Sequence, residues 1–194
     1  MNIVNDVLDL SKIEAGMMRI EAAPFSIRGL LHSVETMFQS KAIEKNLLLT
    51  SSVDNNIPDE LEGDATRLTQ VLVNLVGNAI KFTSKGTVDV SIDLEAIKAD
   101  AIETRITVSD TGIGIQKEKL QVIFNRFQQA EETMTRKYGG TGLGLSIVQE
   151  LVLLQKGTIH VESEAGEGTR VVITIPYKVA SAVIRSTAKP FLPV

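Results

Sequence analysis

The chain has 194 residues, of which 43% are hydrophobic and 4% aromatic, so it is long enough for one domain with an aliphatic core. Its net charge of −4 argues against nucleic acid as a principal partner. The absence of cysteine excludes disulfides and thiolate metal sites, and no apolar run approaches the ~20 residues of a membrane span, so we expect no membrane contact.

The first predicted element is a helix that ends near Gly16. Ile3, Val7, Leu10 and Met17 fall on heptad-like spacing, which is typical of one helix of a coiled coil or hairpin. A lone helix cannot bury such a stripe, so we expect its partner outside this chain or in a second copy, rather than in its own domain. The sequence begins in mid-pattern, as a fragment of a longer protein would, and it lacks the features of a signal peptide.

Further elements follow in a mixed order. Ser26 is a predicted N-cap for a helix that runs to about Lys45, and Asp64 for a helix over 65–82. Apolar patterns predict a helix over about 142–155 and strands at "LLLTSSV", "TVDVSIDLEAI", "TRITVSD", "TIHVES" and "TRVVITIPY", the last two as a hairpin around "EAGEG". Because strands and helices alternate without βαβ regularity, we predict a two-layer α/β sandwich, a mixed sheet with helices on one face.

The stretch "RKYGGTGLGLS" packs four glycines ahead of the predicted helix. It is not a Walker A loop, because Leu145 and Ser146 follow Gly144 where that loop needs lysine, and it does not fit the Rossmann spacing. Glycines still allow backbone N–H groups to turn toward one side, and the helix N-terminus adds positive potential. Arg136 and Lys137 add flanking charge. The pattern favours phosphate binding, and a flexible loop is the alternative.

A polar stripe runs along the helix predicted over 65–82. Its members recur at steps of three and four residues: Arg67, Gln70, Asn74, Asn78 and Lys81. Asparagine is a poor helix former, but its amide oxygen suits a hard cation that already carries phosphate ligands, and Lys81 can reach phosphate oxygens. The alternative is a pair of structural amides that bind a neighbouring loop.

Asp110 lies at the end of a predicted strand, on the same apolar face as Ile106 and Val108. An Asx turn is one interpretation of "DTG". The other is a buried acceptor for an exocyclic amino group such as that of adenine, with Gly112 and Gly114 allowing the base to lie flat. A second glycine turn, "GEGT", could bring Thr169 to the same pocket.

Five motifs occur together and in one order. "NLVGNAIKF" resembles the N box of sensor histidine kinases, "DTGIGI" their first glycine box, "IFNRFQQ" their F box, "GGTGLGL" their second glycine box and "GEGT" their last one. The resemblance covers roughly residues 20–177. It implies the Bergerat ATP-binding fold, shared with the DNA gyrase B subunit, mismatch-repair ATPases and a family of heat-shock chaperones.

The resemblance also implies residue roles. Asp110 would accept from the adenine amino group, with Thr169 and Gly114 assisting through water. Asn78 would hold Mg²⁺ with Asn74 close by, and Lys81 would contact phosphate. The remaining nucleotide contacts would be Gly112, Ile115, Arg136, Gly140, Gly142, Leu143, Gly144 and Leu145. A lid over 125–141 would be anchored by Phe124 and Phe127. Because Gln129 replaces an arginine frequent in the family, Arg136 and Lys137 are the candidates for the γ-phosphate, and the catalytic set would be Asn74, Lys81 and Lys137.

The implied activity is transfer of the γ-phosphate of Mg-ATP to a histidine on a dimerisation domain absent from this chain. Neither His32 nor His160 has the acidic neighbour of an acceptor histidine. We expect residues 1–18 to end a dimerisation hairpin, 19–177 to form the catalytic domain and 178–194 to be a linker or tail. The implied context is a cytoplasmic homodimeric kinase, or the cytoplasmic part of a membrane-bound or hybrid sensor, with a response regulator or receiver domain as partner.

Other members of the same superfamily remain as alternatives. A gyrase-type ATPase would have a glutamate four residues before the metal-binding asparagine, to activate water. That position here is Asn74, which cannot act as a base. An anti-sigma-type serine kinase shares much of the pocket, but the N-terminal hairpin pattern speaks against it. A degenerate module that has lost nucleotide would show losses in the boxes, and none is found.

Overall fold

The computed structural model describes residues 3–98, 100–125 and 142–179, with side chains from residue 7 onward. In these ranges the helices are α1 Ile3–Glu14, α2 Ile27–Glu44, α3 Ala65–Phe82 and α4 Gly144–Leu154, with a 3₁₀ turn at Lys117–Lys119. The strands are β1 Ala23–Ser26, β2 Leu47–Val53, β3 Glu60–Gly63, β4 Gly86–Ile97, β5 Ala101–Asp110, β6 Thr158–Glu164 and β7 Gly168–Val179. No helix in the described ranges is long and apolar enough to cross a membrane.

The described strands form one mixed sheet. Its order is β1-β3-β7-β5-β4-β2, and β6 pairs with β7 beside β3. Only the β2–β4 pair is parallel among the described strands; the other pairs are antiparallel. The predicted α/β fold with a mixed sheet is confirmed.

One face of the sheet is buried beneath the helices. Val88, Val90 and Ile92 alternate along β4 and are almost fully buried, as a period of two requires. Helix α3 contacts α2 on one side and α4 on the other, and it also contacts β4 and β5. The helix with the polar stripe therefore lies at the centre of the helical layer.

Two side chains cap the long helices as predicted. The Ser26 hydroxyl accepts a hydrogen bond from the Gly29 N–H at 2.8 Å, and α2 begins at Ile27. Asp64 accepts from the Arg67 N–H at 2.9 Å, and α3 spans the predicted residues. Such N-caps stabilise a helix by about 1 kcal/mol.

The expectation for the N-terminal helix is wrong in part. Leu10 is 7% exposed and belongs to the core, and α1 contacts α4. Asp9 accepts a hydrogen bond from Gln70 on α3 at 2.8 Å. Val7 and Met17 keep 43% and 67% of their surface exposed. The helix thus packs on its own domain through one side and leaves the other side of its apolar stripe uncovered.

Candidate active site

Asp110 leaves the sheet where the buried face of β5 ends. Ile106 and Val108 precede it on that face and are almost fully buried. Its Oδ1 accepts the Gly112 N–H at 2.8 Å and faces the Thr83 hydroxyl at 3.4 Å. The Thr169 backbone N–H is a third donor to this carboxyl group. The Asx turn is therefore formed, and a carboxylate, which has about four lone-pair sites, can still accept a hydrogen bond from a ligand.

Partial burial of this carboxyl group affects its pKa. Desolvation raises the pKa of Asp110 above its ordinary value, and hydrogen bonds from Gly112, Thr83 and the Thr169 backbone partly oppose the increase. Because this carboxylate has lost part of its hydration, a hydrogen bond from a ligand donor would stabilise its charged form.

The loop after Asp110 requires glycine at two positions. Gly114 has a φ of +63°, and a Cβ there would collide with the backbone oxygen of Glu164. A Cβ on Gly112 would lie 2.6 Å from the Phe82 oxygen. The loop is thus held between the end of α3 and the β6–β7 turn, to which it is tied by a Gly166 N–H to Ile113 carbonyl bond of 2.8 Å.

Ser163 and Thr169 form a second side of the site. In the sheet register, Thr169 pairs with Asp110 on β5 and with Ser163 on β6. The Ser163 and Thr169 hydroxyls are 2.9 Å apart, and the Ile115 N–H donates to Ser163 at 2.8 Å. The structure therefore brings Asp110, Thr169 and the first glycine loop together, as the sequence predicts.

The polar stripe of α3 runs toward the same place. Asn74 is 4% exposed; its Nδ2 donates to the Gln70 carbonyl at 3.0 Å, and its buried Oδ1 has no hydrogen-bond partner among the described residues. Asn78 lies one turn further along the helix, at the half-buried surface. Lys81 follows, with its Nζ 4.7 Å from the centre of the Phe82 ring, and partial burial lowers its pKa. These side chains lie on the turns that lead to Thr83 and Asp110.

The second glycine box opens α4. Gly142 has a φ of +71°, and α4 begins at Gly144, directly after Leu143. The first N–H groups of a helix point out of its N-terminus, where they can bind an anion, and the helix dipole favours negative charge at that position. Leu143 is buried and Leu145 is half-buried. Helix α4 packs on α3, the helix that carries the amide stripe.

Some predicted residues lie outside the described ranges. They are Arg136, Lys137, Gly140, Gln129, Phe127 and the lid apart from Asn125. Phe124, the other predicted anchor, is half-buried.

The outer edge of the site carries more negative than positive charge. A depression of about 390 Å³ next to Asp110 and Thr169 is also lined by Glu162, Glu164, Glu167 and Arg170. Because its four carboxylates, Asp110 included, outnumber the single guanidinium group, this depression would repel a polyphosphate. The phosphate end of a nucleotide is therefore better accommodated at Lys81 and the N-terminus of α4.

Comparisons with known proteins show which family the chain belongs to. Residues 63–179 match the family described as histidine kinase-, DNA gyrase B- and HSP90-like ATPase. The chain belongs to that family. It is similar to the catalytic domain of the histidine kinase ThkA, at 30% identity and a TM-score of 0.66, over 80% of this chain and 95% of that one. Within the family it is therefore a histidine kinase catalytic domain.

Two longer histidine kinases support the assignment. The Escherichia coli signal transduction histidine-protein kinase BarA is 41% identical over 167 residues, which are 86% of this chain and 18% of BarA. Full-length ShkA, whose structure is a complex with AMPPNP, is 33% identical with a TM-score of 0.79, over 91% of this chain and 35% of ShkA. The chain spans under a fifth of the length of the first curated relative it matches.

Three residues of this histidine kinase domain that support the site are absent from the sequence prediction. Thr83 contacts Asp110, and Ser163 links Thr169 to Ile115. Ser163 could have been found by counting the hairpin register outward from "EAGEG". The third is Lys45, whose ammonium group binds the C-terminal carbonyls of α3; no local pattern marks it.

Proposed function

We propose that this histidine kinase domain binds Mg-ATP with adenine at Asp110 and the phosphates between α3 and the N-terminus of α4. It would donate the γ-phosphate to a histidine on a dimerisation domain. The observation that carries the proposal is the half-buried, hydrogen-bonded carboxylate of Asp110, which lies beside a glycine loop and at the end of the amide-lined helix.

The location of the adenine is inferred from the hydrogen-bond donors and acceptors around Asp110. The Asp110 carboxylate would accept a hydrogen bond from the exocyclic amino group, and the Ser163–Thr169 hydroxyl pair could hold a water against the ring nitrogens. Gly112 and Gly114 carry no side chain that would keep the base from the loop backbone. A guanine would present a carbonyl oxygen to the carboxylate instead, so this arrangement favours adenine.

The location of the phosphates is inferred from the positive charge available in the site. Lys81 supplies a cation, and the first N–H groups of α4 supply hydrogen-bond donors. Phosphate oxygens near Lys81 would stabilise its charged form, and so offset the burial that lowers its pKa.

The amide oxygens fit a magnesium ion. No group of three His, Cys, Asp or Glu side chains in the described ranges could hold a metal by itself, and Mg²⁺ in nucleotide sites needs only one or two protein oxygens besides phosphates and waters. Asn78 would supply one, and the unpartnered Oδ1 of Asn74 could accept from a coordinated water. The bound ion would neutralise charge on the transferring phosphate.

The same residues favour transfer over hydrolysis. Asn74 stands where a hydrolytic member of the superfamily would need a carboxylate base, and an amide cannot take a proton from water. In transfer, the bond between the γ-phosphorus and the bridging oxygen breaks, ADP leaves, and the phosphorus bonds to an imidazole nitrogen of the acceptor. Since the chain spans a small part of its relatives, the acceptor domain, the homodimer, the response regulator or receiver domain and the cytoplasmic setting belong to the proposal.

Calorimetry with AMPPNP tests the proposal. The wild-type chain should bind in the micromolar to millimolar range, about −4 to −8 kcal/mol, and more tightly with Mg²⁺ than with EDTA. The Asn78→Ala variant should lose the Mg²⁺ dependence and keep the weaker, metal-independent binding. Absence of binding by the wild type, or an unchanged Mg²⁺ effect in the variant, would contradict the assignment.

A further inference from the structure

Lys45 is the C-cap of α2, yet its side chain completes a different helix. Its ammonium nitrogen lies 2.6 Å from the Ile80 carbonyl oxygen and 3.0 Å from the Lys81 and Thr83 oxygens. A helix leaves its last four carbonyls without intrahelical partners. A lysine ammonium has three donors, and a cation is favourable at the negative end of the helix dipole. One side chain therefore satisfies much of the C-terminus of α3.

The end of α3 is the part of the helix that contacts the adenine loop. The Thr83 hydroxyl faces Asp110 Oδ1 at 3.4 Å, and Thr83 itself is fully buried. The Phe82 carbonyl accepts the Ile113 N–H at 3.3 Å. Lys81, proposed to meet the phosphates, belongs to the same turn.

We infer that Lys45 is a positioning residue of the nucleotide site. By holding the carbonyls on either side of Phe82, it fixes where Thr83 meets Asp110 and where the Lys81 side chain leaves the helix. It does not itself touch the nucleotide. The inference rests on the proposed function, because it gives Lys45 a consequence for binding and not only for folding.

The alternative is a contact that stabilises the fold alone. The structural role and the positioning role predict different nucleotide affinities for the variant protein that remains folded. Loss of a purely structural contact lowers the melting temperature but leaves the dissociation constant of the folded fraction unchanged. Loss of a positioning contact lets the last turn of α3 shift, so that the carboxylate and the lysine no longer face the nucleotide together.

The test is calorimetric titration of AMPPNP with Mg²⁺ into the full chain and its Lys45→Met variant, at a temperature where circular dichroism shows both to be folded. We expect the dissociation constant to rise by roughly tenfold or more, as for the loss of a hydrogen bond to a charged group. Lys41→Met is the matched control. It removes an exposed lysine one turn earlier on α2, which lies 5.8 Å from the Phe38 ring centre, and it should bind as the wild type does.

A second variant covers the case in which Lys45→Met does not fold. Lys45→Gln keeps an amide group with two N–H donors on a shorter stem, and it should weaken binding by a smaller factor. A lowered melting temperature with an unchanged dissociation constant in the folded variant would overturn the inference. Failure of the wild type to bind AMPPNP would instead count against the proposed function, so the two failures are distinguishable.

Discussion

Asp110→Asn separates the adenine contact from the stability of the fold. The amide oxygen of the variant can still accept the Gly112 N–H, which lies 2.8 Å from Oδ1 in the wild type. The amide nitrogen then takes the place of Oδ2. It presents a donor to the adenine amino group, which is also a donor, so the contact is lost and the two groups oppose each other.

The size of the effect follows from the charge on the acceptor. A hydrogen bond to a charged group contributes about 1.5–3 kcal/mol, so its loss should raise the dissociation constant roughly 10- to 150-fold. Titration calorimetry with AMPPNP and Mg²⁺ measures it. Asp93→Asn, on the exposed part of β4, makes the same chemical change away from the site and should leave binding unchanged. Equal affinity of wild type and Asp110→Asn would refute the adenine assignment.

The same substitution should not lower the thermal stability of the protein. Burial raises the pKa of Asp110 above 3.8, so its stabilising contribution is complete below the unfolded pKa and is lost as pH rises through the folded pKa. At neutral pH the ionised, half-buried carboxylate therefore destabilises the folded state, and Asp110→Asn should melt at the same or a higher temperature than the wild type. As pH falls through the folded pKa, the wild type should gain stability relative to the variant. A large drop in the melting temperature of the variant at pH 7 would show that its weaker binding reflects unfolding.

Two further predictions concern the loop and the phosphate end. Gly114→Ala should destabilise the domain by more than Gly166→Ala, because both glycines have positive φ but only a Cβ at Gly114 would collide with backbone atoms. Thermal denaturation should show a loss of about 1 kcal/mol for Gly166→Ala, where only the backbone conformation is strained. Equal losses in the two variants would mean that the loop moves to make room for the Cβ at residue 114. Lys81→Met should weaken AMPPNP binding by roughly tenfold or more, while the affinity for adenosine stays nearly unchanged. If parallel titrations show that both affinities fall by the same factor, Lys81 does not contact the phosphates.

The parts of the fold that the sequence predicts are those where independent local signals coincide. Helix α3 has an N-cap at Asp64, a 3.6-residue period and a buried apolar face, and its predicted bounds are confirmed. The β6–β7 hairpin combines alternation with a glycine turn. Strand β3 was not predicted, because four residues with a single buried side chain, Leu61, carry too little periodicity.

Contacts between distant segments could not be predicted in this way. Lys45 and Ile80 are 35 residues apart, and Asp9 and Gln70 are 61 apart. Such pairs depend on how the helices pack, and no spacing in the sequence encodes them. The docking of Leu10 on its own domain has the same origin: the heptad pattern correctly indicates an apolar stripe, but not which surface covers it. For the site residues, the motifs locate the positions, and the roles stay predictions until ligand binding is measured.

Phosphoryl transfer from γ-labelled ATP tests whether this domain is a histidine kinase. The purified chain is incubated with Mg²⁺ and a separate helical hairpin that carries an acceptor histidine. We expect an acid-labile, alkali-stable label on the hairpin and none on this chain, at a slow rate, because the two parts are not tethered. An acid-stable label would indicate a serine kinase. Release of labelled phosphate without any label on protein would indicate an ATPase, and either result would refute histidine phosphorylation as the activity.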